Sequence, residues 1–267
     1  MKQYLSLFRI RFTNNLQYRA AAYAGVATQF FWGFMELLLY RAFYRSDSAN
    51  FPMDFAQLSS YIWLQQAFLT LFMVWYLDSE IMQTITNGNI AYELSRPMDL
   101  YSMWFIKNIS ARLSRAFLRC VPVLLFAAFL PKPYSLSLPH DFPAFALFLI
   151  TSVLALFTVV SFCMLVYIST FYTMSPIGIR VVASSLMEFL SGAIIPLPFL
   201  PDGIRRIVDL TPFASMQNLP LRIYSGNIAG AEMVRGILLQ IFWLLTMLLI
   251  GRLWMKKTLK KVVIQGG

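Results

Sequence analysis

Apolar residues run along this chain in long blocks, not at the alternate positions of a strand or on one stripe of a soluble helix. Such blocks predict helices that cross a bilayer, where a span needs about 20 residues. They fall at 20–40, 55–77, 105–130, 144–171, 177–197 and 233–254. The stretches between them differ in kind. Residues 41–54 carry Asp47, Asn50 and Pro52 and read as a loop, as do residues 131–143 with their prolines. Residues 78–99 are polar yet keep Ile81, Met82, Ile85, Ile90 and Leu94, the pattern of short helices at a membrane edge. Residues 198–232 alternate apolar and polar positions around Pro198, Pro201 and Pro212. They predict short re-entrant helices on the outer side, which a membrane tolerates only where protein buries the backbone.

Ahead of the first block, Tyr4, Leu5, Phe8, Phe12 and Leu16 recur at helical spacing, with Arg9, Arg11 and Arg19 mostly on the other side. Residues 1–19 thus predict an amphipathic helix lying on the inner membrane surface. The expected fold class is all-α. It is a polytopic membrane protein with six transmembrane helices, and residues 1–267 form one transmembrane domain. Trp63 and Trp75 are expected as interface anchors of the second span. The third block is the weakest, because only residues 116–130 are clearly apolar. Upstream, Arg112, Arg115 and Arg119 share one helix face. With a span ending near Leu130, Arg119 lies about 16 Å below that end, near mid-membrane. Its guanidinium then either snorkels to the inner headgroups or faces a cavity or a buried acid.

Composition sharpens this picture. The chain is 58% hydrophobic and 13% charged, with mean hydropathy +0.63. That balance excludes an ordinary cytosolic globule and a disordered chain. A net charge of +10 would point to nucleic acid in a soluble protein. Here 15 of the 22 Lys and Arg fall on the two termini and the second and fourth loops. The excess places both termini in the cytoplasm of a bacterial inner (plasma) membrane. Lipid is the expected partner and nucleic acid is not. Residues 1–19 lack an unbroken apolar core and a cleavage site, so no removable signal peptide is expected.

The chemistry-bearing residues are few. Cys120 and Cys163 sit in apolar runs and His140 is the single histidine, which argues against a disulfide framework or a metal centre. There is no Gly-x-x-x-x-Gly-Lys phosphate loop and no Gly-x-Ser-x-Gly elbow. No catalytic site and no cofactor are expected in this chain. Two carboxylates, Glu36 and Glu188, fall within spans. An isolated charge in lipid costs at least about 2.5 kcal/mol, so both are expected to face protein or water. Glu188 shares a stripe with Ser184 and Gly192, a small-residue face that lets helices approach closely. This places Glu188 on a dimer interface or translocation path, or else in a salt bridge to Arg119 or as a protonated, hydrogen-bonded acid. Glu36 lies about a turn from the outer interface, near Arg41.

At two places the chain resembles the membrane subunits of ABC-2-type exporters. Residues 80–97, EIMQTITNGNIAYELSRP, are similar to the coupling-helix region of these permeases, with its Gly-x-Ile and Leu-x-Arg-Pro elements. Residues 191–213, SGAIIPLPFLPDGIRRIVDLTPF, resemble their Ser-Gly, Pro, Pro, apolar-helix, Pro pattern after the fifth span. Glu188 has no counterpart in that pattern. The resemblance implies a pair of permeases, identical or sister subunits, above two separate ATPase subunits that bind ATP and Mg. ATP binding would tilt the permeases and move a drug-like, lipid or other amphiphilic substrate outward. The coupling contact would fall on residues 78–99, with Glu80, Asn87, Gly88, Glu93 and Arg96 exposed. The alternatives are a secondary transporter or channel, with Glu36, Glu188 and Arg119 as an ion relay, and a structural or assembly protein of the membrane. Phe30, Phe31, Trp32, Phe34, Phe68 and Phe72 are candidate substrate contacts, or else packing bulk.

Overall fold

The computed structural model describes residues 2–17, 19–173 and 175–261. Every regular element among them is helical. The N-terminal segment forms α1 (Lys2–Leu16), which packs along a long helix further down the chain, α7 (Leu100–Phe129). Its Tyr4 hydroxyl accepts the backbone N–H of Asp99, the N-cap of α7. Leu5 and Ile10 stay exposed.

Next comes α2 (Arg19–Ser46), whose 28 residues reach about 42 Å at 1.5 Å each. The second apolar block does not form one span. It gives α3 (Phe55–Ala67), a break at Phe68, the single turn α4 (Leu69–Phe72), extended Met73 and a 3-10 turn at Val74–Tyr76. This corrects the continuous helix expected over 55–77. Trp63 is fully buried and donates to the Tyr134 carbonyl, so it is core and not an interface anchor.

The third block is longer than its apolar part. α7 runs unbroken from Leu100, capped by the Asp99 carboxylate on Ser102 N–H at 2.8 Å, with Pro122 inside. Then follow α8 (Phe142–Thr173), α9 (Pro176–Leu190) and α12 (Gly230–Leu259). Between the last two lie α10 (Asp202–Val208), α11 (Asn218–Tyr224) and 3-10 turns at Leu197–Phe199 and Phe213–Ser215. Helix α9 stops seven residues before the expected Leu197, because Gly192 adopts φ +82° and turns the chain away.

Two helices, α8 and α12, are long and apolar enough to cross a bilayer by length and composition. The most apolar window of α8 is 61% buried and that of α12 only 17%. So α8 is the central post, while α12 presents Leu238, Phe242, Leu245 and Leu249 outward. Two of three apolar clusters include residues of this post. One joins the α5 (Ser79–Thr86) and α6 (Ile90–Leu94) region to α7, α8, α9 and the C-terminal half of α12. A second joins α3, α4, α7, α8 and α11, and a third joins α2, α3 and α7.

Candidate functional site

The polar stretch after the second block folds into two short helices, α5 and α6, joined as a hairpin at residues 87–89. The Asp78 side chain caps α5 by accepting from Glu80 and Ile81 N–H. Ile81, Met82 and Ile85 turn inward and are buried against α8 and α9. Gln83, Asn87, Gly88 and Asn89 remain exposed, and Tyr92 is 74% exposed beside exposed Arg96. Gly88 has φ +73° and no atom within 4 Å of where a Cβ would stand, so glycine serves the turn there and not packing.

Two ionic contacts tie the hairpin to the rest of the fold. Arg11 of α1 donates to both oxygens of Glu80, at 2.9 and 3.1 Å. This guanidinium holds the Glu80 carboxyl below its usual range. Glu93 departs from the exposed position expected of it. It is 7% exposed and accepts from Trp104 Nε1 and from Lys107 Nζ, itself 2% exposed. Ile90 and Glu93 stand one turn apart on the inward face of α6, which rests on α7. Tyr167 of α8 adds a third tie, since its hydroxyl accepts from Asp78 N–H at 2.7 Å and Asn108 Nδ2 at 2.8 Å. The exposed tip is thus fixed to α1, α7 and α8 at once.

The basic face of α7 does different work at each turn. Arg112 is 1% exposed and donates to the carbonyls of Leu71 at 3.1 Å and Met73 at 2.7 Å, and reaches Cys163 Sγ at 3.3 Å. It therefore satisfies the acceptors left open where α4 ends. Arg115 lies over the Tyr76 ring, 5.4 Å from its centroid. Arg119 donates to the Tyr76 hydroxyl at 3.1 Å and lies against Gly25 of α2. Its Nε is buried without a partner among the described residues. The stripe grips a broken segment of backbone. Among the described residues it pairs no buried acid.

The two carboxylates of the first and fifth apolar blocks sit apart from it. Glu36 accepts from Gln66 Nε2 of α3 at 3.3 Å. Glu188 is half-buried on α9, and no hydrogen bond or ion pair to it is found among the described residues. Ser184, one turn earlier, spends its hydroxyl on the Arg180 carbonyl at 2.7 Å. Gly192 is not on that face, because α9 has already ended. It is buried, with its carbonyl 3.4 Å from the Tyr61 hydroxyl. The expected Ser184–Glu188–Gly192 stripe is not formed, nor is a relay of Glu36, Glu188 and Arg119.

The sequence reading missed the polar face of α3. Gln57 reaches the Gly226 carbonyl at 3.3 Å, Tyr61 faces Gly192, and Gln65 donates to the Ala193 carbonyl at 2.8 Å. These residues recur every fourth position and hold the segment after α9 in place. Their spacing inside an apolar block was the available signal. Among the described residues no cluster of three or more His, Cys, Asp or Glu is placed to hold a metal ion.

A comparison with curated proteins finds no match. The family model described as ABC-2 family transporter protein matches residues 30–266, which take in the hairpin, the gripped break and the segment after α9, and the chain belongs to this family of ABC permease membrane proteins.

Proposed function

We propose that the chain is the membrane permease of an ATP-driven exporter that moves amphiphilic substrates, drug-like or lipid, outward across a bacterial inner membrane. It works in a dimer, with itself or a sister permease, and both termini face the cytoplasm. ATP and Mg are bound and hydrolysed by separate ATPase subunits, and this chain supplies no catalytic residue. One observation carries the reading. The α5–α6 hairpin offers an exposed polar tip, Asn87, Gly88, Asn89, Tyr92 and Arg96, on a base locked to α1, α7 and α8. A push on such a tip moves long helices, because packed elements transmit displacement with little compression. Membrane ATPases need a docking surface of this kind. The test is co-reconstitution with an ABC ATPase that co-purifies with the chain. ATP-dependent uptake of a fluorescent amphiphile into inverted vesicles is expected, with loss of ATPase co-purification in Tyr92→Ala/Arg96→Ala. Uptake driven by a proton or sodium gradient without ATP would overturn the reading.

A further inference from the structure

The segment between α9 and α12 encloses a cavity of about 250 Å³ that the coupling reading leaves unused. Four arginines line it: Arg205 and Arg206 from α10, Arg222 from α11 and Arg235 from α12. Two carboxylates, Asp209 and Glu232, line it too. The charges are not evenly matched. Arg205 is held by Asp202 at 2.9 Å. Arg222, nine-tenths buried, is held by Glu232 at 3.0 Å and Asn227 at 2.6 Å. Arg206 and Arg235 are exposed and have no ion pair among the described residues. Two free guanidiniums from two helices thus share one cavity with Asp209, a carboxylate that makes no ion pair among the described residues, and the wall is closed where Leu219 of α11 packs onto Gly236 of α12.

The cavity is partly open, and it continues past Arg235. Arg235 and Leu239 also line an adjoining groove that is otherwise apolar, formed with Val234, Leu238 and Phe242. Val234, Leu238 and Phe242 recur every fourth residue along the outward face of α12 and are each more than half exposed. A basic cavity thus opens at Arg235 into an apolar track that runs down a lipid-facing helix. This shape matches an amphiphile with a phosphate head and a hydrocarbon tail. Guanidiniums suit phosphate because its several oxygens accept from more than one donor.

We infer that this site holds an anionic phospholipid, its headgroup between Arg206 and Arg235 and one acyl chain along Val234, Leu238 and Phe242. The inference stands apart from ATPase docking and does not require it. Each arginine near an anionic headgroup contributes about fivefold in affinity, so the pair gives about 30-fold over a zwitterionic lipid.

The full chain, released from nanodiscs of phosphatidylglycerol or phosphatidylcholine with equal acyl chains, is examined by native mass spectrometry. Retention of phosphatidylglycerol is expected, with about 30-fold preference, falling to parity in Arg206→Gln/Arg235→Gln. Both residues are exposed, so folding is little disturbed, and the two-lipid comparison on the unaltered chain needs no variant. Equal retention of both lipids by the unaltered chain overturns the inference, as does full retention of phosphatidylglycerol by the variant. Displacement of the lipid by glycerol phosphate at equal concentration would mark an ion site with no tail groove and also overturn it. So would disulfide dimerisation through Leu238→Cys in a Cys120→Ser/Cys163→Ser background, which would give the groove to a second copy.

Discussion

Arg112, in the middle of α7, donates at 2.7 Å to the carbonyl of Met73, the residue at which the second apolar block leaves its helix. A helix end inside a membrane leaves carbonyls that lipid cannot satisfy. One buried guanidinium answers Met73 and Leu71 together. Arg112→Met would keep the volume and remove the donors. Each orphaned carbonyl costs about 1–3 kcal/mol, so a loss of at least about 2 kcal/mol is expected. The detergent unfolding midpoint checks this, and an unchanged midpoint would show that the break stands without Arg112.

This relationship also explains what the sequence could and could not tell. The all-helical class was legible, because long apolar blocks demand a backbone that satisfies its own hydrogen bonds. The break at Phe68 was not. Residues 55–77 contain no Pro or Gly, and the stabilising group sits some 40 residues away on α7. The end of α9 was half-legible, since Gly192 lay in plain view but read as a packing stripe. The burial of Glu93 was hidden for the same reason as the break, because Lys107 and Trp104 become its neighbours only when α6 lies on α7.

Glu93 and Lys107 form a buried pair, and removing one member strands the other. Glu93→Leu is expected to cost about 3–5 kcal/mol. Glu93→Leu/Lys107→Met is expected to recover most of that loss. A double-mutant cycle on unfolding midpoints reads the difference. Additive losses would mean that the two charges do not depend on each other.

The Arg11–Glu80 contact sets a pH dependence with a definite sign. The folded Glu80 carboxyl titrates below its usual range. The contact therefore contributes above the ordinary carboxylate pKa and is lost as pH falls through the depressed folded value. Arg11 is raised from an already high value and stays protonated throughout. Glu80 is 56% exposed, so the effect on global stability is under about 1 kcal/mol. The local effect should be visible. A spin label at Thr13 is expected to keep its mobility from neutral pH down to the carboxylate range and loosen below it. Glu80→Gln should be loose already at pH 7. Equal mobility in the two proteins at pH 7 would remove the contact from the account of α1.

The tip of the hairpin should be dispensable for folding and needed for partner binding. Tyr92 and Arg96 are exposed, so their replacement by Ala is expected to move stability by less than about 0.5 kcal/mol. Gly88→Ala meets no neighbour but must hold φ +73°, which costs about 1–2 kcal/mol. Co-purification with the ATPase is expected to fall in Tyr92→Ala/Arg96→Ala at unchanged unfolding midpoint. A midpoint that falls in step with partner loss would instead make the tip part of the core.

Gly25 offers the finest test of the basic face. A Cβ there would overlap the Arg119 guanidinium. That group is the far end of a flexible side chain, so it yields before the α2 backbone does. Alanine also favours a helix over glycine by about 1 kcal/mol. Gly25→Ala should therefore leave stability nearly unchanged while moving Arg119 off the Tyr76 hydroxyl. Tyr76→Phe removes the same hydrogen bond from the other end. Both substitutions should reduce ATP-driven uptake in vesicles, and the double variant should be no worse than the more affected single. Two changes that break one contact cannot break it twice. Additive losses would place the action of Gly25 elsewhere on α2, and full uptake in both singles would reduce the Arg119–Tyr76 contact to packing alone.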